Sequence, residues 1–430
     1  MRLCRIASRI RVFYSERSCW FPPSPSQKIR KSTVSLITTQ SEFQELCDEI
    51  RAGGAVAFDT EFVSESYYRP RLCLLQFGLP SGRCACVDPF LIEDLTDWWE
   101  IMVDDVTTVV VHGGREEIRF CQFATNRRPR RLIDVQVAEG LRSRGYPLSH
   151  ANLISRVLGR SIQHGKETRT DWQFRPLATQ QIDYAQEDVR HLLAAWDTQQ
   201  ASLRDAARLD WALAEIERLI DGVLAEEDRE GWLRLPGYGR LSRREMAAAR
   251  AIFQWRDAEA ARLNRPPRRI LRDDLVVELA HRQPKSVREL NMTRDMNRRD
   301  YQQYADQLVE LIQKAGELPN DQLPPKSNGA AHPAQDEVLA RILGLALANQ
   351  CQELGLSMTL VATAADLKDF VRWHVFEQRQ GPLPKLMSGW RADVCGQLLA
   401  DVLDGRVTLR VSDPKSEFPL EFVRETPRCP

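Results

Sequence analysis

Ala55-Val-Ala-Phe-Asp-Thr-Glu61 ends an apolar run on two acids one position apart. The apolar part reads as a buried strand. Side chains alternate along a strand, so Asp59 and Glu61 share one face while Thr60 points to the other. Two like charges on one face repel unless something neutralises them. For hard carboxylate oxygens the natural neutraliser is a divalent cation such as Mg²⁺ or Mn²⁺. Surface strands often carry such a pair, so its meaning depends on what lies downstream.

Two further elements offer matching groups. Residues 179–200 carry a stripe at Ile182, Ala185, Val189, Leu192, Leu193 and Trp196, which predicts a helix with Thr179 as its N-cap. Tyr184 and Asp188 are four apart and share a face of that helix. Thr107 to His112 reads as a strand and Gly113-Gly114 as a tight turn without a phosphate-binding glycine pattern. Arg115 to Phe123 then reads as a helix that offers Glu116 and Glu117. His112 sets the turn on this reading, and Trp98-Trp99 is helix packing.

The strings Phe58-Asp-Thr-Glu-Phe62, Leu74-Leu-Gln-Phe77, Val111-His-Gly-Gly-Arg-Glu-Glu117, Lys166-Glu-Thr-Arg-Thr-Asp-Trp172, Arg175-Pro-Leu177 and Tyr184-x-x-x-Asp188 resemble those of ribonuclease D. That family belongs to the DEDD 3′-5′ exonucleases, in the subclass with a tyrosine in the last motif. The resemblance runs through roughly residues 40–205. It implies an α/β fold, a ribonuclease H-like exonuclease domain with a mixed sheet, followed by helical HRDC-type bundles. It also implies two divalent cations, Mg²⁺ or Mn²⁺, held by Asp59, Glu61 and Asp188, with Tyr184 positioning the attacking water. One position departs: the family aspartate five residues after the histidine equivalent to His112 is here Glu117. A fourth ligand with one more methylene predicts activity with a shifted metal preference, and loss of activity is the alternative.

In-line cleavage of a phosphodiester needs an activated water and a stabilised leaving 3′ oxygen, which two cations can supply. Tyr184 is a poor base near neutral pH and is assigned orientation. Four residues are candidate nucleic-acid contacts. Phe62 either wedges against a terminal base or packs in the core, and bases stack on aromatic rings. Gln76 lies in the second string. Lys166 and Arg169 share a polar loop with His164 and Asp171, where they hold the scissile phosphate or form structural ion pairs.

The 430 residues, 43% apolar and 28% charged, suit a soluble chain of two or three domains, and no apolar run approaches a membrane span. Ten cysteines without a C-x-x-C pair argue against zinc and disulfides and for buried thiols in a reducing cytoplasm. The net charge of zero hides a division along the chain. Residues 33–228 hold 21 Lys and Arg against 32 Asp and Glu, net −11, whereas 229–315 hold 19 against 12, net +7. The acidic part carries the candidate metal cage, and the basic part can supply sequence-independent attraction to phosphates.

Five segments follow. Residues 1–32, with eight basic residues and one acid, read as a disordered arm or an early start site, although the composition also resembles a presequence. Residues 33–228 form the exonuclease domain. In 229–317, a turn-rich Gly231 to Gly239 precedes a helix from the Ser242 cap to Arg262, a break at Arg265-Pro-Pro-Arg-Arg269, and helices over Asp273 to Arg282 and Asp300 to Lys314. With Trp255-Arg-Asp-x-Glu259 this resembles the HRDC domain, associated with nucleic-acid binding. A linker, 318–333, leads to a helical unit, 334–430, with stripes at Val338, Ile342, Leu345 and Leu347, at Leu367, Phe370, Val371 and Trp373, and at Leu398, Leu399 and Val402. This unit resembles the distal part of bacterial ribonuclease D proteins, and its near-neutral charge suits a packing or partner role. The expectation is a cytoplasmic, monomeric 3′-5′ exoribonuclease that trims tRNA precursors or other structured RNA and releases 5′-mononucleotides. A DNA 3′ exonuclease and an RNA-end-binding protein are the alternatives.

Overall fold

The computed structural model describes residues 36–162, 170–228, 231–325 and 334–424. A six-stranded mixed sheet is built from β1 (Leu36–Ile37), β2 (Ala55–Val63), β3 (Arg71–Gly78), β4 (Cys84–Val87), β5 (Thr108–Val111) and β6 (Leu132–Asp134), in the order β1-β4-β3-β2-β5-β6. β3 is antiparallel to β2 and β4, whereas β5 runs parallel to β2 and β6, and β1 parallel to β4. The strand quoted above is therefore central, and Val56, Ala57 and Phe58 are wholly buried. Around it pack α1 (Gln40–Gly53), α2 (Thr96–Val103), α3 (Arg115–Thr125), α4 (Val135–Arg142), α5 (His150–Leu158), α6 (Thr179–Arg190), α7 (Leu192–Asp205) and α8 (Leu209–Asp228).

Local chemistry sets these elements. α1 starts on Thr39, whose hydroxyl accepts from the Glu42 amide, and ends at Gly54 with φ 65°. Its buried residues Phe43, Leu46, Cys47 and Ile50 follow helical spacing. The Phe58 ring lies 4.5 Å from Trp98 and 5.3 Å from Phe77, so the tryptophans of α2 pack on the sheet as expected. Burying a phenylalanine this fully contributes about 1.5–3 kcal/mol.

The stripe over 179–200 predicts one helix, but the chain forms two, broken at His191. The break lets α6 lie against β3 and β4 while α7 turns to pack on α4 and α5. The N-cap is Ala178, not Thr179, and the Gln181 side chain accepts from the Ala178 amide at 2.9 Å. Gly78 permits the close seating of α6: a Cβ there would stand 2.7 Å from the Val189 carbonyl oxygen.

One apolar core unites the nuclease sheet with residues of 334–424. Val56, Phe58, Ile216 and Ile220 share it with Leu343, Leu347, Phe370 and Leu399. Across this join Arg391 forms a bidentate pair with Glu215 (2.6 and 2.8 Å), both buried, and Trp211 stacks on Trp390 at 5.7 Å. The distal unit departs from its sequence reading in two ways. Of that stripe only Leu347 is buried; Val338, Ile342 and Leu345 are exposed, because α-helix Ala334–Leu354 turns Leu343 and Ala346, beside Leu347, to the core. The unit also ends in a hairpin, β7 (Val407–Val411) with β8 (Leu420–Arg424).

Residues 231–325 have their own core, centred on Trp232, Met246, Ile252, Leu279, Leu308 and Ile312. Helix α9 (Arg243–Leu263) carries the predicted Ser242 cap, with Glu245 completing a capping box, and Asp273–Arg282 is helical as read. The helix expected over 300–314 is interrupted at Gln303-Tyr304, between Arg299–Gln302 and Ala305–Gly316. There the Tyr304 ring meets Trp255 edge-on at 5.1 Å and its hydroxyl donates to Glu259 at 3.1 Å.

Candidate active site

Three elements converge. β2 supplies Asp59 and Glu61, the first turn of α3 supplies Glu117, and α6 supplies Tyr184 and Asp188. Gly113 turns at φ 71°, and the Gly113 and Gly114 amides donate to the two oxygens of Asp134 at 3.0 and 3.1 Å. The glycine turn is thus tied to the end of β6, which fixes where α3 begins and where Glu117 stands. His112 lies 3.0 Å from the Leu148 carbonyl, consistent with a role in the turn.

The carboxylates disturb one another. Burial first, then Glu117, Asp188 and Glu61, push Asp59 well above the usual carboxylate range. Burial and then Asp188 raise Glu61 to about 8, and burial raises Glu117 and Asp188 each to about 7. A hydrogen bond from Tyr184 favours the charged Asp188, and burial together with the same carboxylates raises the Tyr184 hydroxyl far above its ordinary value. Tyr184 therefore stays protonated and donates.

By donor chemistry the set fits a hard divalent cation: buried and half-buried oxygens only, whose mutual repulsion a double positive charge would cancel. Among the described residues, no three His, Cys, Asp or Glu side chains stand ready to hold a metal ion. One carboxylate has a visible tether: the Thr60 hydroxyl donates to Glu117 Oε1 at 2.6 Å.

The remaining sequence candidates are placed as follows. Gln76 pairs across from Asp59 and is wholly buried; its amide makes no hydrogen bond of regular geometry but favours the charged form of Glu61. Phe62 is part buried, edge-on to Phe120 at 5.8 Å. Lys166, Arg169 and His164 lie outside the described residues. Asp171 caps its own turn by accepting from the Gln173 amide at 2.9 Å. Arg175 is fully engaged, reaching both oxygens of Asp88 and the Cys73 carbonyl.

Sequence reasoning missed His150 at the start of α5. Its Nδ1 lies 3.5 Å from Asp188 Oδ1, and its ring is 5.7 Å from that of His112. It also missed Thr60, read only as facing away. Neither shows in spacing, because both meet their partners across elements distant in sequence.

In the basic region, some arginines clamp the fold. Arg256 is buried against Asp273 and the Leu271 carbonyl, and Arg243 holds the Pro324 carbonyl. Arg265, Arg269, Arg294, Arg298 and Arg299 are exposed. The region meets the nuclease through Tyr68, on the β2–β3 connection. Its hydroxyl donates to Asp257 at 2.8 Å and its amide to Asn264 at 3.3 Å.

Comparison with known proteins agrees with this architecture. A 3′-5′ exonuclease family model matches residues 34–203, and an HRDC domain model matches 245–312. Ribonuclease D of Gluconacetobacter diazotrophicus is 30% identical over 379 residues, covering 87% of this chain and 94% of its own. That of Granulibacter bethesdensis is 30% identical over 395 residues, covering 90% and 97%. Among solved structures, Escherichia coli RNase D, described as an exoribonuclease involved in structured RNA processing, superposes with a TM-score of 0.77 at 26% identity, covering 87% of this chain and 99% of that one.

Proposed function

The chain belongs to the ribonuclease D family, and on that premise we propose that it removes nucleotides one at a time from the 3′ ends of structured RNA, tRNA precursors among them. The observation that carries this reading is the group of buried Glu117 and Asp188 with half-buried Asp59 and Glu61, beside a protonated Tyr184. These four carboxylates would hold divalent cations, Mg²⁺ or Mn²⁺. Bound there, the cations supply an acidified water and charge neutralisation at the leaving 3′ oxygen.

The chain's own residues do the rest. Tyr184 cannot act as a base: its one hydroxyl proton is donated to Asp188 and fixes that carboxylate, and its oxygen is left to accept from a water and so orient it. Gln76, wholly buried beside Asp59, acts through its neighbour: its amide favours the charged form of Glu61. Phe62 stands at the end of the acidic strand, where a terminal base could rest against it. The exposed arginines of 231–325 add salt-sensitive, sequence-independent attraction for the RNA backbone.

A reducing cytoplasm suits the seven described cysteines, all buried free thiols. Burial pushes Cys47, Cys121, Cys351 and Cys395 up to about 12, so they stay protonated. Among the described residues no helix is long and apolar enough to cross a membrane.

The test is trimming of a 5′-labelled RNA with a 3′ tail, with Mg²⁺, with Mn²⁺ and with chelator, beside a matched DNA and Asp59→Ala. The expected result is a metal-dependent RNA ladder that the variant lacks. Equal trimming of DNA would move the reading to a general 3′ exonuclease, and RNA binding without trimming under either metal would move it to an end-binding protein.

A further inference from the structure

Glutamate in the α3 position reaches one methylene further than the aspartate that the family pattern carries. A longer side chain has more places to stop, so something must decide where Glu117 ends. Thr60 is the group that meets it. The two side chains come from elements 57 residues apart, both are buried (6% and 5% exposed), and their oxygens are 2.6 Å apart. Thr60 sits between Asp59 and Glu61 on β2 but faces away from them, so its hydroxyl can bond Glu117 without occupying their face. A buried hydroxyl needs a partner, and here the partner is a carboxylate, which makes the bond charge-assisted.

We propose that Thr60 is a positioning residue for Glu117: its hydroxyl holds one carboxylate oxygen against β2, takes up the extra reach, and sets the second-motif carboxylate for cation binding. The inference rests on the metal-dependent reading above and adds a residue to it. Partners that orient a ligand typically change metal affinity by about 10–100-fold when removed.

The test is Mn²⁺ titration by calorimetry on the metal-stripped full chain, with thermal melting as a check on folding. Thr60→Val, nearly the same shape without the hydroxyl, should bind Mn²⁺ about tenfold or more weakly, while Thr60→Ser should stay close to wild type. A double-mutant cycle separates positioning from packing. In a Glu117→Asp background the shorter side chain no longer reaches the hydroxyl, so adding Thr60→Val should cost little further affinity. Unchanged or tighter binding by Thr60→Val, or an equal loss in both backgrounds, would overturn the proposal while leaving the metal reading intact. A wild type that takes up no Mn²⁺ would sink both.

Discussion

The two accessory regions are attached to the nuclease by different physics. Residues 334–424 share its apolar core and are pinned by the buried Glu215–Arg391 pair, by a hydrogen bond from the Ser357 amide to the Gly140 carbonyl at 2.9 Å, and by Arg208 on the Leu354 carbonyl at 2.7 Å. Residues 231–325 carry a core of their own and meet the nuclease at Tyr68 through side-chain and amide hydrogen bonds to α9. The lesson is that position in the chain does not rank dependence: the segment furthest from the acidic strand β2 is built into the nuclease body, while the nearer one is an appended module.

The strongest attempt to break that comparison is Arg391→Ala. Leaving buried Glu215 with only Arg218 for a partner should cost toward the lower end of the about 3–5 kcal/mol of a broken buried pair. If one core is shared, nuclease and distal unit lose stability together in a single denaturant transition, with 231–325 following its own curve. Separate transitions for 36–228 and 334–424 would show the shared core to be a mere contact.

Acidity sharpens it next. Glu61, Glu117 and Asp188 have pKa values raised by folding, so the metal-free fold binds more protons than the unfolded chain. Their burial is therefore least costly below about pH 4, where the unfolded groups are protonated too, and stability should fall as pH rises from there, levelling off above about 8. Saturating Mn²⁺ should remove that fall. Thermal melting of the stripped and loaded chain from pH 5 to 8.5 checks this, and the transition of 231–325 should ignore both variables. A stripped nuclease that gains stability over the same range would contradict the carboxylate cluster.

Smaller still is Gly78→Ala. The new methyl meets the Val189 carbonyl, so α6 must shift, and overpacking of this kind costs about 1–3 kcal/mol. Because α6 carries Tyr184 and Asp188, trimming should drop more than melting temperature suggests. The mildest change, Tyr68→Phe, removes one hydrogen bond worth about 0.5–1.5 kcal/mol. It should leave the nuclease transition in place and loosen 231–325, read as faster proteolysis near Asn264. A large drop in nuclease stability would mean the module is more deeply joined than its separate core implies.

Much of this was legible in the residues. Strand β2, the Gly113-Gly114 turn, the Ser242 cap and the pairing of Tyr184 with Asp188 all follow from local spacing, which a linear reading sees. What it could not see were relations between distant elements. The stripe through Leu192 and Trp196 continues in phase across the break at His191, so periodicity alone joins α6 and α7. Val338, Ile342 and Leu345 form as regular an apolar row as any buried one, yet Leu343, Ala346 and Leu347 face the core. Thr60 and His150 acquire meaning only from Glu117 and Asp188, which the fold brings to them.

The Glu215–Arg391 pair joins residues 176 apart. On a ribosome adding on the order of 10 residues per second, α8 would emerge and then wait roughly 20 seconds for its partner. During that time its apolar face has nothing to close on, and Glu215 has only Arg218, one turn along the same helix, for a partner. A chain whose translation stops before Arg391 would carry every acidic residue of the active site but leave that face open to proteases and chaperones. Arg391 thus places a late condition on the nuclease body, which reaches its stable form only after the distal unit has followed it off the ribosome.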